Sequence, residues 1–213
     1  MVAMNGGRAE WIRPPGPIAP GLRIGLLGGS FNPAHAGHLH ASEIALKRLG
    51  LDYVWWLVSP QNPLKPARGM APLDARLAGA RRLVQHSPRI RVTGIEGELG
   101  TRYTIDTIAR LKGRFPQARF VWIMGSDNLA TFHHWRRWPD IVRNLPIAVV
   151  RRPGSALAPL ASIAAQRFRF RSAGNIADAT PPAIVVFDAR RRPESATAIR
   201  ARGVGPTDCA VLQ

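Results

Sequence analysis

From residue 23 onward the chain alternates short apolar runs with stretches of helical spacing, and this alternation restricts the fold more than any other feature. Residues 23–28 (RIGLLG) read as a buried strand ending at paired glycines, and residues 37–49 follow as a helix stopped by Gly50. The pattern continues with a strand at 53–59, a helix at 73–86, a strand at 90–95, a helix at 104–111 and a strand at 120–124. A helix at 126–135, entered through Ser126 or Asp127 as cap, comes next. Apolar runs at 146–150 and 183–187 have helical material between them, and 195–202 reads as a last short helix. Strands that alternate with helices pair in parallel through crossovers, which predicts an open, mostly parallel, doubly wound α/β sheet with helices on both faces. Its ligand crevice belongs at the carboxyl ends of the strands. The expected organisation is a single domain over 22–203, a loose extension over 1–21 containing Pro14, Pro15, Pro17 and Pro20, and a short tail over 204–213.

Composition limits the function classes. The chain has 213 residues and one cysteine, Cys209, so an intramolecular disulfide and a cysteine-based zinc site are excluded and a reducing cytoplasm is the expected location. No apolar run approaches the roughly 20 residues of a membrane-spanning helix, so no membrane partner is expected. The formal net charge of +17 invites a polynucleotide partner. Only Lys47, Lys65 and Lys112 are lysines, however, and the 27 arginines are scattered rather than clustered. The charge fits attraction for small anionic substrates or no function at all and by itself decides nothing; no specific nucleic acid is expected.

The most informative stretch is Gly28-Gly-Ser-Phe-Asn-Pro-Ala-His-Ala-Gly-His38. Glycines after the first strand let backbone approach a polyphosphate, with the amides of Gly29 and Ser30 facing its oxygens. His35 and His38 are three residues apart at the entry to the helix, so both imidazoles reach an anion held at that positive end. A tight turn with two surface histidines is the plain alternative; the joint spacing favours phosphate binding.

These residues resemble the nucleotidyltransferase superfamily, whose strand-to-helix loop carries an HxGH signature. Ser195-Ala-Thr-Ala-Ile-Arg200 is similar to its second signature, SxxxxR. Between them, Pro60-Gln-Asn-Pro-Leu-Lys65, Tyr103-Thr-Ile-Asp-Thr107, Ile123-Met-Gly-Ser-Asp-Asn-Leu129, Phe132-His-His-Trp135 and Val149-Val-Arg-Arg-Pro-Gly154 resemble the bacterial nicotinate-mononucleotide adenylyltransferases. The resemblance implies a Rossmann-like fold and adenylyl transfer from ATP to nicotinate mononucleotide, with Mg2+ carried by ATP and no metal ligands from the protein. It implies His35, His38 and Arg200 as catalytic residues. It places Gly28, Gly29, Ser30, Phe31, Asp127, Ser195 and Thr197 at ATP, and Asn62, Lys65, Thr104, Trp135 and Arg152 at the mononucleotide. Trp135 would stack on the pyridine ring and the amides near Thr104 would meet its carboxylate, whereas Trp55, Trp56 and Trp122 read as core. Asn32 stands where many superfamily members have Asp, and Ala196 where a second serine is frequent. Another adenylyl- or cytidylyltransferase, such as a pantetheine-phosphate adenylyltransferase, and an Arg-rich RNA-binding protein are the competing readings. The sequence leaves the oligomeric state open, with a homo-oligomer as one outcome.

Overall fold

The structure, a computed structural model, describes residues 13–60, 69–151, 162–168, 170–171 and 176–188. Their strands are β1 (Arg23–Gly29), β2 (Tyr53–Val58), β3 (Ile90–Thr93), β4 (Arg119–Gly125), β5 (Ile147–Arg151), β6 (Phe170–Arg171) and β7 (Ile184–Asp188). They form one sheet in the order β3-β2-β1-β4-β5-β7-β6, with every neighbouring pair parallel. The chain runs outward from β1 to β3 on one side, then returns to lay β4 against the other side of β1. This reversal between β1 and β4 opens a crevice at their carboxyl ends, the usual ligand position in open α/β sheets.

The helices are α1 (Ala36–Arg48), α2 (Leu73–Leu83), α3 (Ile95–Leu99), α4 (Thr104–Arg114), α5 (Ser126–Thr131), α6 (Trp138–Asn144) and α7 (Ile163–Arg167). Alternation along the central strands sends their side chains to two cores. Val54, Trp56 and Val58 of β2 and Val121 and Ile123 of β4 pack with Leu46 of α1 and with Leu77 and Ala80 of α2. Trp55 and Leu57, with Phe120, Trp122 and Met124, pack on the other face with Ile105, Ile108 and Leu111 of α4, Leu129 of α5 and Ile141 of α6. Burying each large side chain contributes roughly 1.5–3 kcal/mol, so a strand covered on both faces has little tolerance for polar residues.

Several boundaries differ from the sequence reading. The strand expected at 90–95 ends at Thr93, because Gly94 caps the unanticipated helix α3, which Gly100 stops in a left-handed conformation at φ 64°. The helix expected at 126–135 is α-helical only to Thr131 and tightens into a 3-10 turn at Phe132–His134. Neither Ser126 nor Asp127 caps it: Gly125 holds the N-cap, and both residues lie inside the first turn. Helix α6 was also unforeseen, although Pro139 near its start is an ordinary entry signal. The helix expected at 195–202 and the tail lie outside the described residues. In the stretch read as an extension, Ile18 packs against the second core, as does Leu22 just beyond it, and the Gly21 N–H donates to the Gln117 carbonyl at 3.0 Å.

Candidate active site

The carboxyl end of β1 lies beside β4 with little room to spare. A Cβ on Gly28 would lie 2.7 Å from Cη2 of Trp122, so only glycine lets the strand end rest on that indole. Beyond Gly29 the chain turns through Phe31, whose φ of 46° is left-handed, and reaches His35 at the N-cap of α1. His38 occupies the third helical position, in the geometry of a capping box. Its Nδ1 accepts the His35 backbone N–H at 3.3 Å, and the two ring centroids are 3.8 Å apart. In a neutral imidazole, an accepting Nδ1 leaves the proton on Nε2, so His38 keeps Nε2–H as a donor.

The aromatic surroundings fix that ring. Phe31 stacks on Trp56 at 4.9 Å and meets His38 at 4.8 Å. Trp56 Nε1 donates to Ser42 Oγ at 2.8 Å, and Ser42 donates to the His38 carbonyl at 2.9 Å. No acidic residue occupies the first turn of α1, so the positive end of this helix is not neutralised from within. Imidazoles and backbone amides around a positive helix end suit a polyanion rather than a bare cation. Among the described residues no group of three or more His, Cys, Asp or Glu could hold a metal ion.

Thr104 is the first residue of α4, behind an extended Tyr103 at the N-cap. Trp135, half-buried, stands edge-on to Trp122 at 6.1 Å and to Phe132 at 5.3 Å. The Arg136 guanidinium lies 4.6 Å above the Tyr103 ring, which ties the Tyr103-Thr104 and Trp135-Arg136 segments together. Trp122 thus backs both Gly28 and Trp135. Beneath α4, the buried Glu96 carboxylate accepts Thr107 Oγ1 at 3.2 Å, and Thr107 is paired with Thr101 at 2.8 Å. Burial pushes the Glu96 carboxyl up, with hydrogen bonds from Ser59 and Thr107 opposing the shift.

Of the residues singled out in the sequence, Gly28, Gly29, Ser30, Phe31, His35 and His38 form one turn at the end of β1, and Asp127 is exposed at the end of the neighbouring β4. Thr104 and Trp135 come together through Tyr103 and Arg136. Trp55, Trp56 and Trp122 are core residues, each at most 1% exposed. Asn62, Lys65, Arg152, Ser195, Thr197 and Arg200 lie outside the described residues. Sequence reasoning missed Arg76, although its signal was present: a charged residue in the apolar stripe of α2 formed by Leu73, Leu77 and Ala80.

A parallel sheet reversed between β1 and β4, with a glycine turn leading into a histidine-capped helix, defines a nucleotidyltransferase of the cytidylyltransferase-like class, and the model of that family matches residues 26–202. Within the class the chain belongs to the nicotinate-nucleotide adenylyltransferases. A relative from Parvibaculum lavamentivorans is 54% identical over 191 residues, covering 87% of this chain and 94% of the relative. One from Methylorubrum extorquens is 52% identical over 186 residues, covering 85% and 100%. Both carry the name probable nicotinate-nucleotide adenylyltransferase. The fold is shared with the Plasmodium falciparum nicotinic acid mononucleotide adenylyltransferase complexed with NaAD, at a TM-score of 0.63, 15% identity and coverage of 84% of this chain and 83% of that one.

Proposed function

We propose that the protein transfers the adenylyl group of ATP to nicotinate mononucleotide, forming deamido-NAD and pyrophosphate in NAD biosynthesis. The observation that carries this reading is the glycine turn beneath an unneutralised α1 N-terminus, with the His38 ring fixed by Phe31, Trp56 and His35. The family names of the relatives support the same reaction.

The nucleophile needs no activation by the protein. A phosphate monoester with a second pKa near 6 is largely a dianion at neutral pH. One of its oxygens forms a bond to the α-phosphorus of ATP while the bond from that phosphorus to the bridging oxygen breaks, and pyrophosphate departs with the electron pair. Catalysis is then the alignment of two anions and the stabilisation of charge that grows on the α-phosphate and the leaving group. His35 and His38 with the amides of Gly29 and Ser30 fill the second role, together with Arg200, Ser195 and Thr197 in this reading. Phe31 shapes the turn and Asp127 meets the adenosine half. Trp135 stacks on the pyridine ring, the amides at Thr104 receive its carboxylate, and Asn62, Lys65 and Arg152 complete the mononucleotide site. Nucleotidyltransferases use a divalent cation with ATP; here Mg2+ would enter on the triphosphate, screening its charge and orienting the leaving group. The reading places the reaction in the cytoplasm, without a specific nucleic acid; among the described residues no helix is long and apolar enough to cross a membrane.

The test is a pyrophosphate-release assay with ATP, Mg2+ and either nicotinate mononucleotide, nicotinamide mononucleotide or phosphopantetheine, with the dinucleotide product identified. Deamido-NAD from the first, abolished by chelation, is the expected result. Turnover of phosphopantetheine alone would transfer the protein to a neighbouring activity.

A further inference from the structure

Arg76 is 1% exposed in the apolar stripe of α2, and no carboxylate pairs with it among the described residues. Its partners are four backbone carbonyls from three places in the chain. Nη1 donates to Ser30 at 2.6 Å and to Ser59 at 2.7 Å, Nη2 to Pro60 at 2.9 Å, and Nε to Ala71 at 2.9 Å. One guanidinium therefore joins the glycine turn after β1, the end of β2 and the approach to α2. Burial lowers its pKa from the ordinary arginine value, but arginine stays charged at neutral pH and its planar fork supplies all these donors at once.

Asn32 makes a second clasp two residues further along the turn. Its Nδ2 donates to the Gly69 carbonyl at 3.0 Å, and its Oδ1 accepts the Ala71 N–H at 3.2 Å. Ala71 is thus held by both side chains, its carbonyl by Arg76 and its N–H by Asn32. Between Ser30 and Asn32 lies Phe31, whose left-handed backbone is unfavourable for a side chain with a Cβ and persists only where its surroundings over-determine it. The two clasps on either side, and the stack of Phe31 on Trp56, are such surroundings. Phe31 in turn contacts the His38 ring.

We propose that Arg76, with Asn32 as its partner, is a positioning residue for polyphosphate binding: it fixes the turn from Ser30 to Asn32, and so the directions in which the Gly29 and Ser30 amides and the His38 ring face the nucleotide. The proposal rests on the adenylyl-transfer reading. Arg76 does not touch substrate; it acts through the Ser30 carbonyl and the turn attached to it. Lysine would keep the charge and lose the fork, so Arg76→Lys separates geometry from electrostatics.

The experiment measures binding of α,β-methylene ATP with Mg2+, and separately of nicotinate mononucleotide, by calorimetry for wild type, Arg76→Lys and Asn32→Ala, with a melting curve for each. Arg76→Lys is expected to weaken the ATP analogue about tenfold or more while nicotinate mononucleotide changes less than about twofold, since a lost hydrogen-bond geometry acts on the ligand it aligns. Asn32→Ala should shift in the same direction by a smaller factor, and decides the matter if Arg76→Lys does not fold. Analogue binding unchanged in the folded variants, or an equal loss for both ligands, overturns the proposal and makes Arg76 a purely structural residue. A wild type that binds no nucleotide overturns this proposal and the adenylyl-transfer reading together, whereas a binding wild type with unaffected variants defeats the positioning role alone.

Discussion

At the scale of single residues, the site is a set of side chains whose freedom has been removed before any ligand arrives. His38 is held by its bond from His35 and by Phe31 and Trp56, and in the adenylyl-transfer reading proposed above a ring so held would meet developing charge without reorganising. Replacing it with alanine should lower kcat by roughly 10²–10³ with a much smaller change in KM for nicotinate mononucleotide, the pattern of a donor acting in the transition state. Steady-state kinetics on a folded variant checks this, and near-normal turnover would make the ring structural. Trp135 rests edge-on against Trp122 and Phe132, which fixes its plane. Trp135→Ala should cost about 1–3 kcal/mol in kcat/KM for the mononucleotide, the scale of aromatic stacking on bases, and leave the KM for ATP nearly unchanged. Glu96 gives a pH prediction. Its carboxyl is raised by burial, so the stability it brings is complete below the ordinary value of 4.5 and is lost as pH rises through the folded value. Glu96→Gln cannot ionise; its melting temperature relative to wild type should rise between pH 4 and pH 8, and a constant difference would refute the assignment.

At the scale of elements, the close approach of β1 to β4 can be tested by a double-mutant cycle. Gly28→Ala forces a Cβ against the Trp122 indole and should destabilise by about 1–3 kcal/mol, the usual range for overpacking. Trp122→Phe removes the ring atoms Cη2 and Cζ2 that would clash, so the double variant should lose less than the sum of the two singles in denaturant melts. Strict additivity would mean that the contact is not close. Strands β1 to β5 and β7 and the long helices were legible in the sequence, because the central strands are buried on both faces and the helices carry a helical stripe, whereas the two-residue β6 is too short to show an alternation. Helices α3 and α6 were not, since five and seven residues give too few turns for a period to show. The HxGH turn could be read from spacing, whereas for Arg76 the sequence offered only a charge in the apolar stripe of α2; its partners are backbone carbonyls, which leave no trace in residue type.

At the scale of the whole molecule, the topology explains why motifs far apart in sequence converge: β1 and β4 are neighbours, so the ends at Gly29 and Gly125 flank one crevice. The net charge of +17 belongs to this scale too. It should give weak polynucleotide binding that falls steeply with salt, because scattered arginines neutralise phosphates without reading bases. Filter binding at 50 and 200 mM salt tests this, and a sequence-selective complex persisting at the higher concentration would contradict it. The central place of β1 also bears on synthesis. Among the described strands it is the first to leave the ribosome, but its neighbour β4 begins only at Arg119, close to a hundred residues later. At roughly 5–20 residues per second, the edge of β1 that β4 covers waits about 5–20 s for its partner, so a nascent chain of this topology carries an unpaired strand edge for longer than one whose first strand lies at the rim.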